Sequence, residues 1–183
     1  MKDVSFRAPW GVPLTIMTIV TVVVCLTLPV PAVLIGLGTA TARKFLGMTS
    51  IPPLLQLAGW VAAAVPILTV FGCAIYMVRG YVLTESALFI TRPGWRRTLN
   101  LAGLTSAKVD PEALRGSFRI FGNGGCFGFV GWFRNKTLGV YRAYATDSTR
   151  AVVLRFADKT VVVTPDDPQG FVAEITARLN ALH

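Results

Sequence analysis

The chain changes its hydrophobic period along its length. Leu14 to Leu37 reads LTIMTIVTVVVCLTLPVPAVLIGL, and Leu54 to Val78 reads LLQLAGWVAAAVPILTVFGCAIYMV. Neither stretch has a polar side, so neither predicts an amphipathic surface helix. Each exceeds the roughly 20 apolar residues that cross a hydrocarbon core. No charged residue lies between Arg7 and Arg43, or between Lys44 and Arg79. The pattern predicts two membrane spans forming a hairpin. Two buried helices of a soluble protein are the alternative, but the remaining chain is too short to wrap helices that are apolar all round. Ala40-Thr41-Ala42 has the small-x-small form of a signal cleavage site. The apolar run before it is about twice the roughly 7–15 residues of a signal core, which argues for a retained span. Pro29, Pro31 and Pro66 predict kinks, which membrane helices tolerate.

From Gly80 the period falls to two. Tyr81–Thr84 and Ala87–Thr91 predict strands around a tight Glu85-Ser86 turn. Arg92-Pro93-Gly94 is a second turn signal. Trp95–Leu101 predicts a third strand and Leu104–Val109 a fourth, before Asp110-Pro111-Glu112 breaks the pattern. Leu138–Thr146 predicts another strand, with Leu138, Val140, Arg142 and Tyr144 on one face and neither face plainly polar. Ala151–Ala157 and Thr160–Thr164 predict a hairpin around Asp158-Lys159. A last helix follows, with Asp166 and Asp167 at its cap and Pro168 at its first turn. Phe171, Val172, Ile175, Leu179 and Leu182 mark its buried face, and Glu174 with Arg178 forms an i,i+4 pair opposite.

Residues 118–133 read FRIFGNGGCFGFVGWF and fit no period. Three readings are open. The aromatics fill the domain core from a folded loop. Alternatively the segment dips into a membrane interface, with Arg119, Arg134 and Lys136 meeting headgroups. A phosphate cradle is the third, but the glycines lack GxGxxG spacing and no GK[ST] follows. A protein-binding patch built on these aromatics is a further use of the same residues.

Composition adds direction. Mean hydropathy is +0.58 and 53% of residues are hydrophobic, in line with the spans. The net charge is +9, and residues 80–183 hold 13 Lys and Arg against 8 Asp and Glu. Six cations, Lys2, Arg7, Arg79, Arg92, Arg96 and Arg97, flank one side of the hairpin, and two, Arg43 and Lys44, flank the other. The positive-inside rule then places both termini in the cytoplasm. The only cysteine outside the spans is Cys126, so no disulfide framework is expected. Asn135-Lys136-Thr137 is a glycosylation triplet without meaning on that side of the membrane. The basic residues are scattered and carry no nucleic-acid motif, so a membrane surface is the simpler partner. The single histidine, His183, is the last residue, and no HExxH, CxxC or GxSxG occurs. Neither an enzyme nor a cofactor or metal is expected.

Three segments carry a family resemblance: YVLTESALFITRPGWRRTLNL, FRIFGNGGCFGFVGWFRNKTLGVYRAYATD and VVVTPDDPQGFVAEI. With them the chain resembles a bacterial PH (pleckstrin-homology-like) domain membrane protein. The resemblance implies about seven antiparallel strands in a bent sandwich or barrel, capped by a C-terminal helix. The expected fold class is therefore a membrane α-helical hairpin, residues 1–79 with spans at 14–37 and 54–78, plus an α+β PH-like domain at 80–183. The expected role is a non-catalytic scaffold at the bacterial cell membrane that binds a protein partner. Anionic-lipid binding and service as a small subunit of a larger membrane complex are the alternatives. The candidate interface residues are Arg96, Arg97, Arg119, Phe127, Phe129, Trp132, Arg134 and Lys136. Phosphoinositide-binding PH domains carry cations in the first strand-to-strand loop. Here that loop is Glu85-Ser86, which speaks against recognition by that route.

Overall fold

The computed structural model describes residues 3–182. Lys2 and His183 lie outside the described residues, as does the side chain of Leu182. Two compact units emerge: residues up to Met17 together with those from Ala74 onward, and Thr18–Cys73 between them.

The helical part holds α1 (Val12–Thr27), α2 (Val30–Gly36), α3 (Ala40–Leu46) and α4 (Pro53–Ile75). Val12–Gly36 and Pro53–Ile75 are long and apolar enough to cross a membrane, with mean hydropathy 2.5 and 2.0. Only 11% of each apolar window is buried by protein, so neither serves as a soluble core helix. The expected kink at Pro29 is a helix break between α1 and α2, whereas α4 runs through Pro66. The link between the two apolar helices holds α3, capped by Thr39, whose Oγ1 accepts from the Ala42 N–H at 3.2 Å, and closed by Gly47 at φ 66°.

Gly36, a small residue suited to close helix approach, serves a contact within this unit. A Cβ on Gly59 would lie 2.6 Å from Ala32 O and 2.7 Å from Gly36 N, and one on Gly36 would meet the Trp60 ring at 3.0 Å. Backbone atoms cannot yield as a side chain can, so α2 and α4 meet here only through glycine. Gly59→Leu is expected to force them apart. Spin labels at positions 33 and 62 of the full chain in nanodiscs then report a longer and broader distance by pulsed EPR. An unchanged distance counts against this contact.

The other unit is built of two sheets. Sheet A has the order β1 (Val4–Arg7), β2 (Gly80–Leu83), β3 (Ala87–Arg92), β4 (Trp95–Asn100). Sheet B has the order β5 (Leu104–Val109), β9 (Val152–Phe156), β10 (Thr160–Val163), β8 (Gly139–Ala145), β7 (Phe129–Asn135), β6 (Phe118–Gly124). The helix α5 (Pro168–Leu182) follows β10. Apolar side chains from both sheets, among them Leu83, Leu88, Ile90, Leu154, Val161 and Val163, meet Phe171 and Ile175 of α5 in one core. The far face of sheet B is covered too: Tyr141, Ala143, Val153 and Val162 pack with Ala113 and Leu114. Burial on both faces explains why β10 reads VVV without alternation.

Several details differ from the sequence expectation. Residues assigned to the hairpin at the N-terminus belong instead to the β unit, where β1 pairs antiparallel with β2. Four residues near a chain end give too short a period to read. Arg7 and Asp166 fasten the strand through two hydrogen bonds, Arg7 N to Asp166 Oδ1 at 3.1 Å and Asp166 N to Arg7 O at 3.0 Å. Among the described residues ten strands replace about seven. The sandwich is not wholly antiparallel, because β8 and β10 pair in parallel. The 118–133 segment is a hairpin, not a loop. Arg178 is buried rather than on the outer side. Its Nε donates to Thr84 O at 3.0 Å while it pairs with Glu174, which fixes α5 to the β2–β3 turn. The glycosylation triplet is structural: Asn135 Nδ2 donates to Ala113 O at 2.8 Å and Oδ1 accepts from the Leu138 N–H at 2.7 Å.

Candidate functional site

Cross-strand partners share a sheet face. Val130, Trp132 and Arg134 of β7 face the same way as Tyr144, Arg142 and Val140 of β8, their register partners. Phe121 and Phe118 of β6 join them opposite Trp132 and Arg134. Val130 and Tyr144 lie inside the main core. Beyond them the same face continues as an open shelf, because the four strands of sheet A do not cover all six of sheet B. Phe118, Phe121, Trp132 and Val140 stand exposed there, Phe121 by 76%. Arg134 is exposed among them. No carboxylate occupies these register positions.

The residues singled out from sequence fall in several places. Trp132 and Arg134 lie on the shelf. Arg119 pairs with Phe133 and turns to the opposite face. There it lines a groove of about 360 Å³ with Leu114, Phe129 and Tyr141. The hydroxyls of that groove satisfy one another: Tyr141 OH donates to Ser117 Oγ at 2.7 Å. Phe127 sits in the β6–β7 turn at φ 60°, edge-on to Trp10 with centroids 5.9 Å apart. Phe129 is half-buried against the second core. Lys136 is exposed in the β7–β8 turn, and Arg96 and Arg97 are exposed on β4. The aromatics thus divide. Phe133 enters the core, whereas Phe118, Phe121 and Trp132 do not.

Sequence reasoning missed the group that lies at the inner end of the shelf. Arg92, at the end of β3, is only 7% exposed. Its guanidinium carbon lies 4.4 Å from the Trp95 ring centroid, 5.3 Å from that of Tyr76 and 5.5 Å from that of Tyr144. Arg142 lies 5.5 Å from the Trp132 centroid and 5.4 Å from that of Tyr144. Burial lowers the Arg92 pKa, Tyr144 and Tyr76 oppose that, and Arg142 and Arg97 add to it. Trp95 Nε1 donates to Ile75 O, the last carbonyl of α4, at 3.3 Å. The signal in the sequence was an arginine on a strand face otherwise made of Leu138, Val140 and Tyr144.

In the first strand-to-strand turn the Thr84 groups are taken up within the fold. Thr84 Oγ1 accepts from the Ala87 N–H at 3.2 Å, and Arg178 takes the Thr84 carbonyl.

Two sheets closed by a C-terminal helix have the make-up of a PH-like module. A family model described as Bacterial PH domain matches residues 79–179, and the chain belongs to that family. No curated protein and no solved structure matches it. PH domains are generally non-catalytic and bind proteins or lipids, so the chain is an interaction module with two helices that allow a membrane location.

Proposed function

We propose that this chain is a membrane-anchored PH module whose β6–β8 shelf rests on an anionic lipid surface. The exposed shelf supports this reading, since it mixes Phe118, Phe121, Trp132 and Val140 with Arg134 and holds no carboxylate. Aromatic rings settle at headgroup depth. Each well-placed cation adds about 1 kcal/mol at an anionic surface. In this reading Val12–Gly36 and Pro53–Ile75 are the anchors, and the cation bias around them favours a bacterial cell membrane with both termini and the module on its cytoplasmic side. A protein partner is the second reading, favoured by one observation. Strand β6 is an edge of sheet B, a template for strand addition. The irregularity between Arg119 and Phe121 interrupts that edge, which makes lipid the better reading.

The test uses the full chain in nanodiscs with brominated acyl chains. The Trp132 contribution to fluorescence is isolated by comparison with Trp132→Phe. It is expected to be quenched in discs rich in phosphatidylglycerol and to recover in high salt. Equal emission in anionic and zwitterionic discs would turn the assignment to a protein partner.

A further inference from the structure

Among the described residues, three buried side-chain polar atoms lack a hydrogen-bond partner: Arg92 Nε, Arg142 Nε and Tyr144 OH. They belong to one cluster. Both guanidinium carbons lie within 5.5 Å of the Tyr144 ring centroid. Buried polar groups are normally paired, and an orphan carries its full desolvation cost. Cation–π stacking explains how the rings hold the two arginines, because it uses the flat faces of the guanidinium groups. It leaves the in-plane Nε–H of each arginine unused. Among the described residues no carboxylate pairs with Arg92 or Arg142. Two like charges therefore share one partly enclosed place, each with a donor to spare, and a phenol hydroxyl stands beside them.

An oxyanion answers all of these features together. Phosphate oxygens accept in-plane guanidinium bonds while aromatic rings cover the faces. We propose that Arg92, Arg142 and Tyr144 form a binding site for a phosphate group, with Trp95 and Trp132 as its movable walls. The two tryptophans suit that role: each covers a guanidinium, and they are 38% and 39% exposed. They swing aside as the anion enters and then flank it. Arg97, exposed on β4 two residues beyond Trp95 and so on the same face of the strand, supplies a further cation at the mouth. The phosphate belongs either to a lipid headgroup or to a soluble phosphate compound. The lipid source follows from the reading proposed above, and the anion site itself stands without it.

The probe is inorganic phosphate, titrated into the full chain in neutral detergent against chloride at equal ionic strength. Phosphate is expected to change the tryptophan emission and to raise the melting temperature above the chloride control. Arg142→Gln and Tyr144→Phe are each expected to weaken the apparent affinity at least tenfold. Tyr144→Phe is the decisive variant. If the cluster is only packing, removal of an orphan hydroxyl leaves the phosphate response intact and the protein as stable or more so. That result, or a wild-type response equal to that of chloride, overturns the proposal. A second arm repeats the titration in nanodiscs with and without phosphatidic acid. Loss of the response to added phosphate only with phosphatidic acid assigns the site to a lipid headgroup, and a retained response assigns it to soluble phosphate. A phosphate response together with unquenched Trp132 removes the lipid-surface reading and leaves the anion site standing.

Discussion

Gly131→Val is expected to destroy the β6–β7 hairpin. Gly131 and Gly122 are register partners on adjacent strands. Both have positive φ, 144° and 113°. A Cβ on Gly131 would lie 2.2 Å from Phe121 O, and one on Gly122 would lie 2.3 Å from Val130 O. Two penalties combine. The backbone conformation is one that L side chains rarely adopt, at about 1–3 kcal/mol. The clash is with backbone, so relief requires the strands to separate and gives up their ladder bonds. We expect a loss of more than about 4 kcal/mol, in the range reserved for a named structural failure. Gly139 provides the control, with φ 68° and open space around it. Gly139→Ala should cost only the left-handed penalty of about 1–2 kcal/mol. Hydrogen exchange of amides 118–135 in the full chain separates the two cases. Valine at 131 should release protection across that segment, and alanine at 139 should leave it. A Gly131→Val protein with wild-type protection there would show that the two glycines are not needed for the pairing.

The same pair shows why this region was hard to read. A strand is legible through alternation, and alternation holds where one face is buried and the other wet. The strands β2, β3 and β5 and the β9–β10 hairpin meet that condition, or carry clear turn residues at their ends, and their limits follow from the sequence. The two apolar helices are legible for a simpler reason, since length and lack of charge suffice. Strand β6 offers neither signal. Both its faces are largely exposed, and its glycines serve cross-strand approach rather than a turn. Composition therefore suggests a loop where the chain pairs. The candidate site suffers from a related problem. Trp132 and Arg134 stand out as an aromatic and a cation in an odd segment, and they do share the shelf. Arg92 looked like part of a turn, and Arg142 like one position of a strand. What joins them is Tyr144, reached from β3 across the sandwich. Contacts between sheets are set by topology, and the parallel placement of β10 beside β8 was not visible in any local pattern.

Tyr81→Phe is the other large effect, because one hydroxyl joins the two sheets. Tyr81 is fully buried on β2. Its OH donates to Tyr144 O of β8 at 2.5 Å and accepts from the Thr164 N–H at 3.1 Å. Phenylalanine keeps the ring and its packing but leaves buried backbone groups short of a partner. At about 1–3 kcal/mol for each such group, the expected loss is about 2–6 kcal/mol. Thermal unfolding of the full chain in detergent, followed by near-UV circular dichroism, measures it. The pH dependence gives an independent reading. Burial raises the Tyr81 pKa to about 12 from an ordinary 10, against the lowering effect of its bonds with Thr164. The unfolded chain therefore loses this proton at lower pH than the folded one. The contribution of Tyr81 is fully present below pH 10 and fades as the pH rises from 10 to about 12. Two pKa units correspond to about 3 kcal/mol. Tyr81→Phe should be less stable than wild type near neutrality and should show a shallower decline above pH 10. The residual slope belongs in part to Tyr141, which burial also raises. Parallel declines in the two proteins would mean that the Tyr81 hydroxyl is not held in the buried bridge, and that the sheets are joined by apolar packing alone.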